Sequence, residues 1–243
     1  MKFKKPKFWD QKKISWKSIL LFPLSQVYQI FFWVLKVFVS LIRHKKTTIP
    51  TICVGNIYLG GTGKTPVVRE IFKIAKSFGK NPAFIKKYYD YLHDEIKMLE
   101  KTGKVYVNKI RRDGILLSAA DNHDVAILDD GFQDFSIKPN FSVLCFNSRQ
   151  MIGNGQLIPS GPLRERIGAI RRADCLIING SKNFDFEEKI YSVKKEIKIF
   201  YSNYKIINIE KFYGKKITAF AGIGNPENFF NLLKENKIDL IKT

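Results

Sequence analysis

Cysteine is scarce in this chain of 243 residues, which holds three, at positions 53, 145 and 175. They lie far apart in apolar runs, without metal-ligand spacing. That excludes a disulfide framework and a zinc ribbon, and it points to a reducing compartment. Acidic residues are also in short supply, 22 Asp+Glu against 42 Lys+Arg, for a formal net charge of +20. Arginine is rare among the bases, 9 against 33 lysines, so lysine-rich composition is one reading of part of that charge. No internal repeat or low-complexity linker interrupts the chain. With 45% hydrophobic and 26% charged residues, it is neither a disordered tail nor a polytopic membrane protein. The length suits one large domain, or one and a half.

Half of the net charge sits at the N-terminus. Residues 1–46 hold ten lysines and Arg43 against Asp10 alone, a net +10. A basic stripe can meet nucleic acid or an anionic membrane, and its neighbours decide between them. Residues 19–42 are strongly apolar, and Pro23 is expected to break or kink them early. Ser25, Gln26, Gln29, Lys36 and Ser40 punctuate the run, and Trp9, Trp16, Tyr28 and Trp33 supply interfacial aromatics. A span needs roughly 20 predominantly apolar residues, and Lys36, near the middle of the strongest part of the run, would cost about 2.5–3.5 kcal/mol. A helix lying in the headgroup layer avoids most of that cost. The expectation is therefore a monotopic membrane contact, with a true span and a helix buried in the protein's own core as alternatives. No small-x-small cleavage site follows, which argues against a signal peptide. Nucleic acid fits poorly, because the aromatics sit among aliphatics rather than among lysines.

From Thr47 onward, short β-rich runs at 51–54, 83–85, 105–107, 125–128, 141–146, 175–178 and 217–220 alternate with helical patterns at 64–78, 92–101, 163–172 and 226–235. Apolar strands separated by helices predict an α/β fold, a parallel sheet covered by helices on both faces. The organisation expected is a membrane-contacting segment over 1–46, a core domain over 47–210, and the beginning of a second α/β domain over 211–243.

The sharpest motif runs Val54-Gly55-Asn56-Ile57-Tyr58-Leu59-Gly60-Gly61-Thr62-Gly63-Lys64-Thr65-Pro66. Following a strand and opening a helix, it has the context of a phosphate-binding loop. Gly60, Gly61 and Gly63, with Thr62 between them, let backbone N–H groups turn toward phosphate oxygens. The helix starting near Lys64 aims its positive end at the same anion. Lys64 would neutralise the β- and γ-phosphates and Thr65 would ligate Mg²⁺. The strict pattern would place glycine at position 58, where this chain has Tyr58. A second acidic site is expected of a P-loop kinase, and the apolar strand 125–128 runs into Asp129, Asp130 and Gly131. In an open parallel sheet that puts both carboxylates at the edge bearing the phosphate loop, one to hold Mg²⁺, the other to orient it or a nucleophile. An ordinary exposed turn is the bland alternative. Asp94-Glu95, after His93, is either a second acidic pair or simple charge compensation at a helix start. Arg111, Arg112, Arg164, Arg171 and Arg172 are candidate phosphate ligands. Arg164 stands out, since it follows the elaborate loop Gly153-Asn154-Gly155-Gln156-Leu157-Ile158-Pro159-Ser160-Gly161-Pro162-Leu163.

Together VGNIYLGGTGKTPVV, ILDDGFQ, GNGQLIPSGPLRE and AFAGIGNPENFF, over roughly residues 50–230, resemble the tetraacyldisaccharide 4′-kinase family of the lipid A pathway. The resemblance implies ATP-dependent phosphorylation of the 4′-hydroxyl of a tetraacylated glucosamine disaccharide 1-phosphate at the cytoplasmic face of the bacterial inner membrane. It implies ATP and Mg²⁺ as cofactors, the lipid and the membrane surface as partners, and neither nucleic acid nor an obligate protein partner. Carried over, Lys64 and Thr65 hold phosphates and Mg²⁺, and Asp129 and Asp130 form the acidic pair near the metal. Asp94 helps deprotonate the sugar hydroxyl, Glu95 is its acidic neighbour and joins Thr65, Asp129 and Asp130 as a metal ligand, and Arg111 and Arg164 lie near substrate phosphates. The chain departs from the pattern in several places. Ile85-Lys86-Lys87-Tyr88-Tyr89-Asp90 replaces a Ser-Arg-Gly-Tyr-Gly turn, His93 replaces a glycine, and Asp134 a histidine. The family also continues past this C-terminus into a segment whose histidine pairs with the catalytic aspartate. The expectation is a C-terminally shortened relative, with a degenerate nucleotide binder without kinase activity as the alternative.

Overall fold

A computed structural model of the protein describes residues 5–11, 13–41, 47–90, 93–222 and 226–242. The basic residues at 2, 4, 12 and 43–46, Leu92, and positions 223–225 of the last motif lie outside the described residues. After a 3₁₀ turn at Lys7–Asp10, the elements in order are α1 (Trp16–Leu41), β1 (Thr51–Gly55), α2 (Lys64–Ser77), β2 (Pro82–Lys87), α3 (His93–Glu100), β3 (Val105–Asn108), α4 (Arg111–Ala120), β4 (Val125–Asp129), β5 (Phe141–Asn147), β6 (Cys175–Asn179), α5 (Phe184–Val193), β7 (Lys198–Ser202), β8 (Lys216–Thr218), α6 (Pro226–Glu235) and β9 (Asp239–Lys242).

Seven strands form one parallel sheet in the order β3-β2-β4-β1-β5-β6-β7. Successive strand residues point to opposite faces, and the central strands are apolar on both. Cys53, Leu128, Leu144, Phe146 and Ile178 pack with Ile115 of α4 and with Phe186 and Ile190 of α5. Val54, Ile127, Val143 and Cys145 pack on the other side with Val68 and Phe72 of α2 and Leu99 of α3. Each fully buried aliphatic or aromatic side chain contributes about 1.5–3 kcal/mol, so the two layers hold the sheet from both sides. β1 lies between β4 and β5. From it the chain moves to one side of the sheet through β2 and later to the other through β5, which opens a crevice at the carboxyl end of β1. A separate two-stranded parallel sheet, β8-β9, packs with α6 around Ala219, Leu233 and Ile238.

Two expectations need correction, and one alternative falls away. Pro23 lies inside α1, which continues unbroken to Leu41. The 163–172 pattern is not an α-helix: Leu163 bridges Tyr58 and Leu157 in extended form, and only Ile167–Arg172 coils, as a 3₁₀ turn. Nor is α1 buried in the core, since Leu20, Val27, Ile30, Phe31 and Phe38 are each more than 60% exposed. Helices α4 and α5 and strand β7 are additions that the apolar pattern did not announce.

Candidate active site

The phosphate-loop motif leaves β1 at Gly55, where a Cβ would stand 2.4 Å from Phe132 Cβ. Only glycine lets the β1 end approach the turn after β4 so closely. Buried Asn56 then folds the loop from within, its Nδ2 donating to Tyr58 O at 2.7 Å and Thr62 Oγ1 at 2.9 Å. Gly63 enters α2 in the left-handed region at φ 84°, and a Cβ there would collide with Asn179 Nδ2 at the end of β6. Gly60 also has positive φ, while Gly61 and Thr65 are half-buried. Tyr58 takes a structural part. Fully buried, it donates its hydroxyl hydrogen bond to Asp10 and accepts one from Lys5 Nζ at 2.9 Å.

At the end of β4 the two aspartates separate. Asp130 takes φ 54°, and its carboxylate lies 3.7 Å from Lys64 Nζ. Arg164 Nη1 donates to both of its oxygens at 3.0 and 3.1 Å. Burial pushes the Asp130 carboxyl up, but Lys64, Arg164 and Arg111 outweigh it and hold it below the usual carboxylate range. Asp129 is buried and pairs instead with Lys86 Nζ, which also donates to Glu95 Oε2 at 2.7 Å. Burial works against the Lys86 charge, yet Asp129 and Glu95 raise its pKa above the ordinary lysine value.

Arg111 is buried, donating to Asp134 Oδ2 at 3.1 Å and to the carbonyls of Asp130 at 2.7 Å and Asp129 at 3.4 Å. Its guanidinium braces the 129–130 turn from α4. Asp94 is exposed in the first turn of α3, one residue before Glu95. Arg172 makes a two-nitrogen clamp on buried Glu165, at 2.7 and 2.8 Å, and stacks over Phe132. Gln133 Nε2 joins this group to the loop by donating to Glu165 Oε1 and Asn56 O. Arg171 is exposed and Arg112 half-buried. Burial raises the Cys53 and Cys145 thiols to about 12, so neither serves as a nucleophile near neutral pH.

The structure thus gathers Lys64, Asp129, Asp130, Glu95, Arg111 and Arg164 at one sheet edge, but as paired charges. Among the described residues no three His, Cys, Asp or Glu side chains form a metal-holding group. Glu95 and Asp129 are drawn together around an ammonium. Asp130, beside the Lys64-Thr65 turn, fits a divalent ion better, with its carboxylate 33% exposed. Lys86 and Glu165 escaped the sequence reading. The signal for Lys86 was a lysine directly continuing the apolar run Pro82–Ile85, at a buried position of the strand, where lysine is rare unless paired.

The Tetraacyldisaccharide-1-P 4′-kinase family model matches residues 17–95 and 88–243. A Tetraacyldisaccharide 4′-kinase of Pelagibacter ubique is 39% identical over 99% of this chain and 76% of its own length. One of Bradyrhizobium diazoefficiens is 31% identical over 80% of this chain, which covers 64% of that relative. The crystal structure of LpxK from Aquifex aeolicus, in complex with ATP, superposes with a TM-score of 0.72. It is 23% identical, over 93% of this chain and 80% of that one, and so bears on the fold. A sheet edge built on GGTGKT and Asp-Asp-Gly, and matches over nearly the whole sequence, lead to one conclusion: the chain belongs to the Tetraacyldisaccharide-1-P 4′-kinase family.

Proposed function

We propose that this protein transfers the γ-phosphoryl group of ATP to the 4′-hydroxyl of a tetraacylated glucosamine disaccharide 1-phosphate at the cytoplasmic face of the bacterial inner membrane. The observation that carries this reading is the meeting of Lys64 and Asp130, 3.7 Å apart, at the joined ends of β1 and β4. A loop of backbone N–H groups, a helix N-terminus and one lysine then face a single anion site. Lys64 exchanges Asp130 for the β- and γ-phosphates when nucleotide enters. Thr65 and Asp130 would hold Mg²⁺, which supplies neutralisation of the phosphate charge. Asp94 stands as the base toward the sugar hydroxyl, and Glu95 ties its helix turn to the sheet. Arg164, paired with Asp130, would meet a substrate phosphate, while Arg111 holds the 129–130 turn. Two further facts support the reading: the relatives carry this kinase's name, and the Aquifex LpxK of like fold was crystallised with ATP.

The test is direct. The protein is incubated with Mg-ATP and the disaccharide 1-phosphate in mixed micelles, and the doubly phosphorylated lipid is measured. Lys64→Ala is expected to lower kcat at least about a hundredfold, the scale of losing one preorganised donor to a developing charge. Undiminished turnover would overturn the phosphate-loop assignment. ATP binding without product in the wild type would establish the binding-only alternative.

A further inference from the structure

Lysine is almost never fully buried unless paired, and Lys86 has a side chain only 4% exposed. It lies on interior strand β2, directly opposite Asp129 in the parallel register with β4. Its ammonium reaches Asp129 at the sheet edge and Glu95 Oε2, 2.7 Å away on the first turn of α3. Two carboxylates from separate elements therefore converge on one cation supplied by a third. Removing an ammonium from water is offset only by good geometry and several hydrogen-bond partners, and this one has two charged acceptors. The same pair of carboxylates, completed by water, is a donor set that small divalent ions use.

We propose that Lys86 is a resident cation. Its ammonium occupies the position between Asp129 and Glu95 that a divalent ion would otherwise take, and it fixes the Asp94-bearing turn of α3 to the sheet without metal. Divalent-ion binding at this edge is thereby confined to the Asp130 side. Lys86 acts as a positioning residue, since it reaches the reaction only through Glu95 and Asp129. The inference rests on the kinase reading only in assigning the Asp130 side to the nucleotide's ion. Its test is run without nucleotide or lipid, so failure of one leaves the other standing.

The full chain, as wild type, Asp129→Asn, Lys86→Arg, Lys86→Ser and Lys86→Ser with Asp129→Asn, is titrated with Mn²⁺ and free ion is read by electron paramagnetic resonance. Wild type and Lys86→Arg are expected to show only weak binding. Lys86→Ser gains saturable Mn²⁺ binding at least about tenfold tighter, and Asp129→Asn removes it again. The thermal midpoint of Lys86→Ser rises with Mn²⁺ while that of the wild type stays put. Should Lys86→Ser fail to fold alone, folding on Mn²⁺ addition is the expected result. A folded Lys86→Ser that binds Mn²⁺ no better than wild type would overturn the proposal, as would an unfolded one that Mn²⁺ does not restore. Tight Mn²⁺ binding by the wild type that Asp129→Asn abolishes would overturn it equally.

Discussion

Asp130 turns the chain out of β4 in the left-handed region, φ 54°, which aspartate tolerates better than most residues. Departures of this kind cluster at functional sites, and here the turn parts Asp130 from Asp129. Each carboxylate meets a different lysine, from α2 and from β2. The consequence is measurable through pH. Because the folded pKa of Asp130 is depressed, its stabilising contribution is complete above the unfolded value of about 3.9. It is lost as pH falls through the folded value. The urea midpoint of wild type should therefore exceed that of Asp130→Asn at neutral pH, and the gap should narrow progressively below about pH 4. A gap unchanged across that range would mean the ion pairs contribute nothing. The sequence displayed Lys64, Thr65 and both aspartates because strand, glycine and loop chemistry are local. It did not display the Lys86 bridge, because only the β2-β4 register, between segments some forty residues apart, sets position 86 beside position 129.

The elements show the same division between local and long-range information. The central strands were legible because strands buried on both faces are unbroken apolar runs, whereas β7, at the sheet edge and without a buried residue, was not. Helix α4 was not, since Gly114 dilutes its pattern. Yet that glycine lets α4 lie so close to the sheet that a Cβ would stand 3.1 Å from Ile85 Cγ2. Leu163, Ile167 and Ile170 imitate a helical stripe, but a bridge to Tyr58 holds the first of them extended. Around this loop α1 finds its seat. Buried Ser18 accepts from Asn154 Nδ2 at 3.0 Å, and Tyr28 donates to Arg164 O at 2.9 Å. Ser25 Oγ accepts from the Ser160 N–H at 3.0 Å. Ser25→Ala leaves that buried N–H without its acceptor, so a loss of about 1–3 kcal/mol is expected by urea denaturation. Limited proteolysis should then cut near residues 13–15 faster. A change below about 0.5 kcal/mol, the range of ordinary surface substitutions, would show that the helix is not held there.

At the scale of the whole molecule, α1 has two unlike sides. Its serines, Tyr28 and Gln29 hold the domain, and Lys36 lies 5.4 Å from the Phe135 ring, turned toward the protein. The lysine that would be costly within a bilayer is thus accommodated by the protein. The opposite side leaves Leu24, Val27, Phe31 and Phe38 bare, each more than 60% exposed. An apolar surface of this extent marks an interaction site, and α1 is long and apolar enough to cross a membrane by length and composition. With a net +10 over residues 1–46, two forces act together: charge attraction, which salt screens, and apolar burial, which it does not. Vesicles containing anionic lipid should therefore retain a substantial part of the wild type at high salt. Phe31→Glu with Phe38→Glu removes about 1.5–3 kcal/mol of burial per ring, so partitioning should weaken about a hundredfold or more. The thermal midpoint should hardly move, because both rings are exposed in the protein. Complete release of the wild type by salt alone would reduce the contact to electrostatics. A fall in the midpoint of the double variant would mean that these rings serve the fold instead.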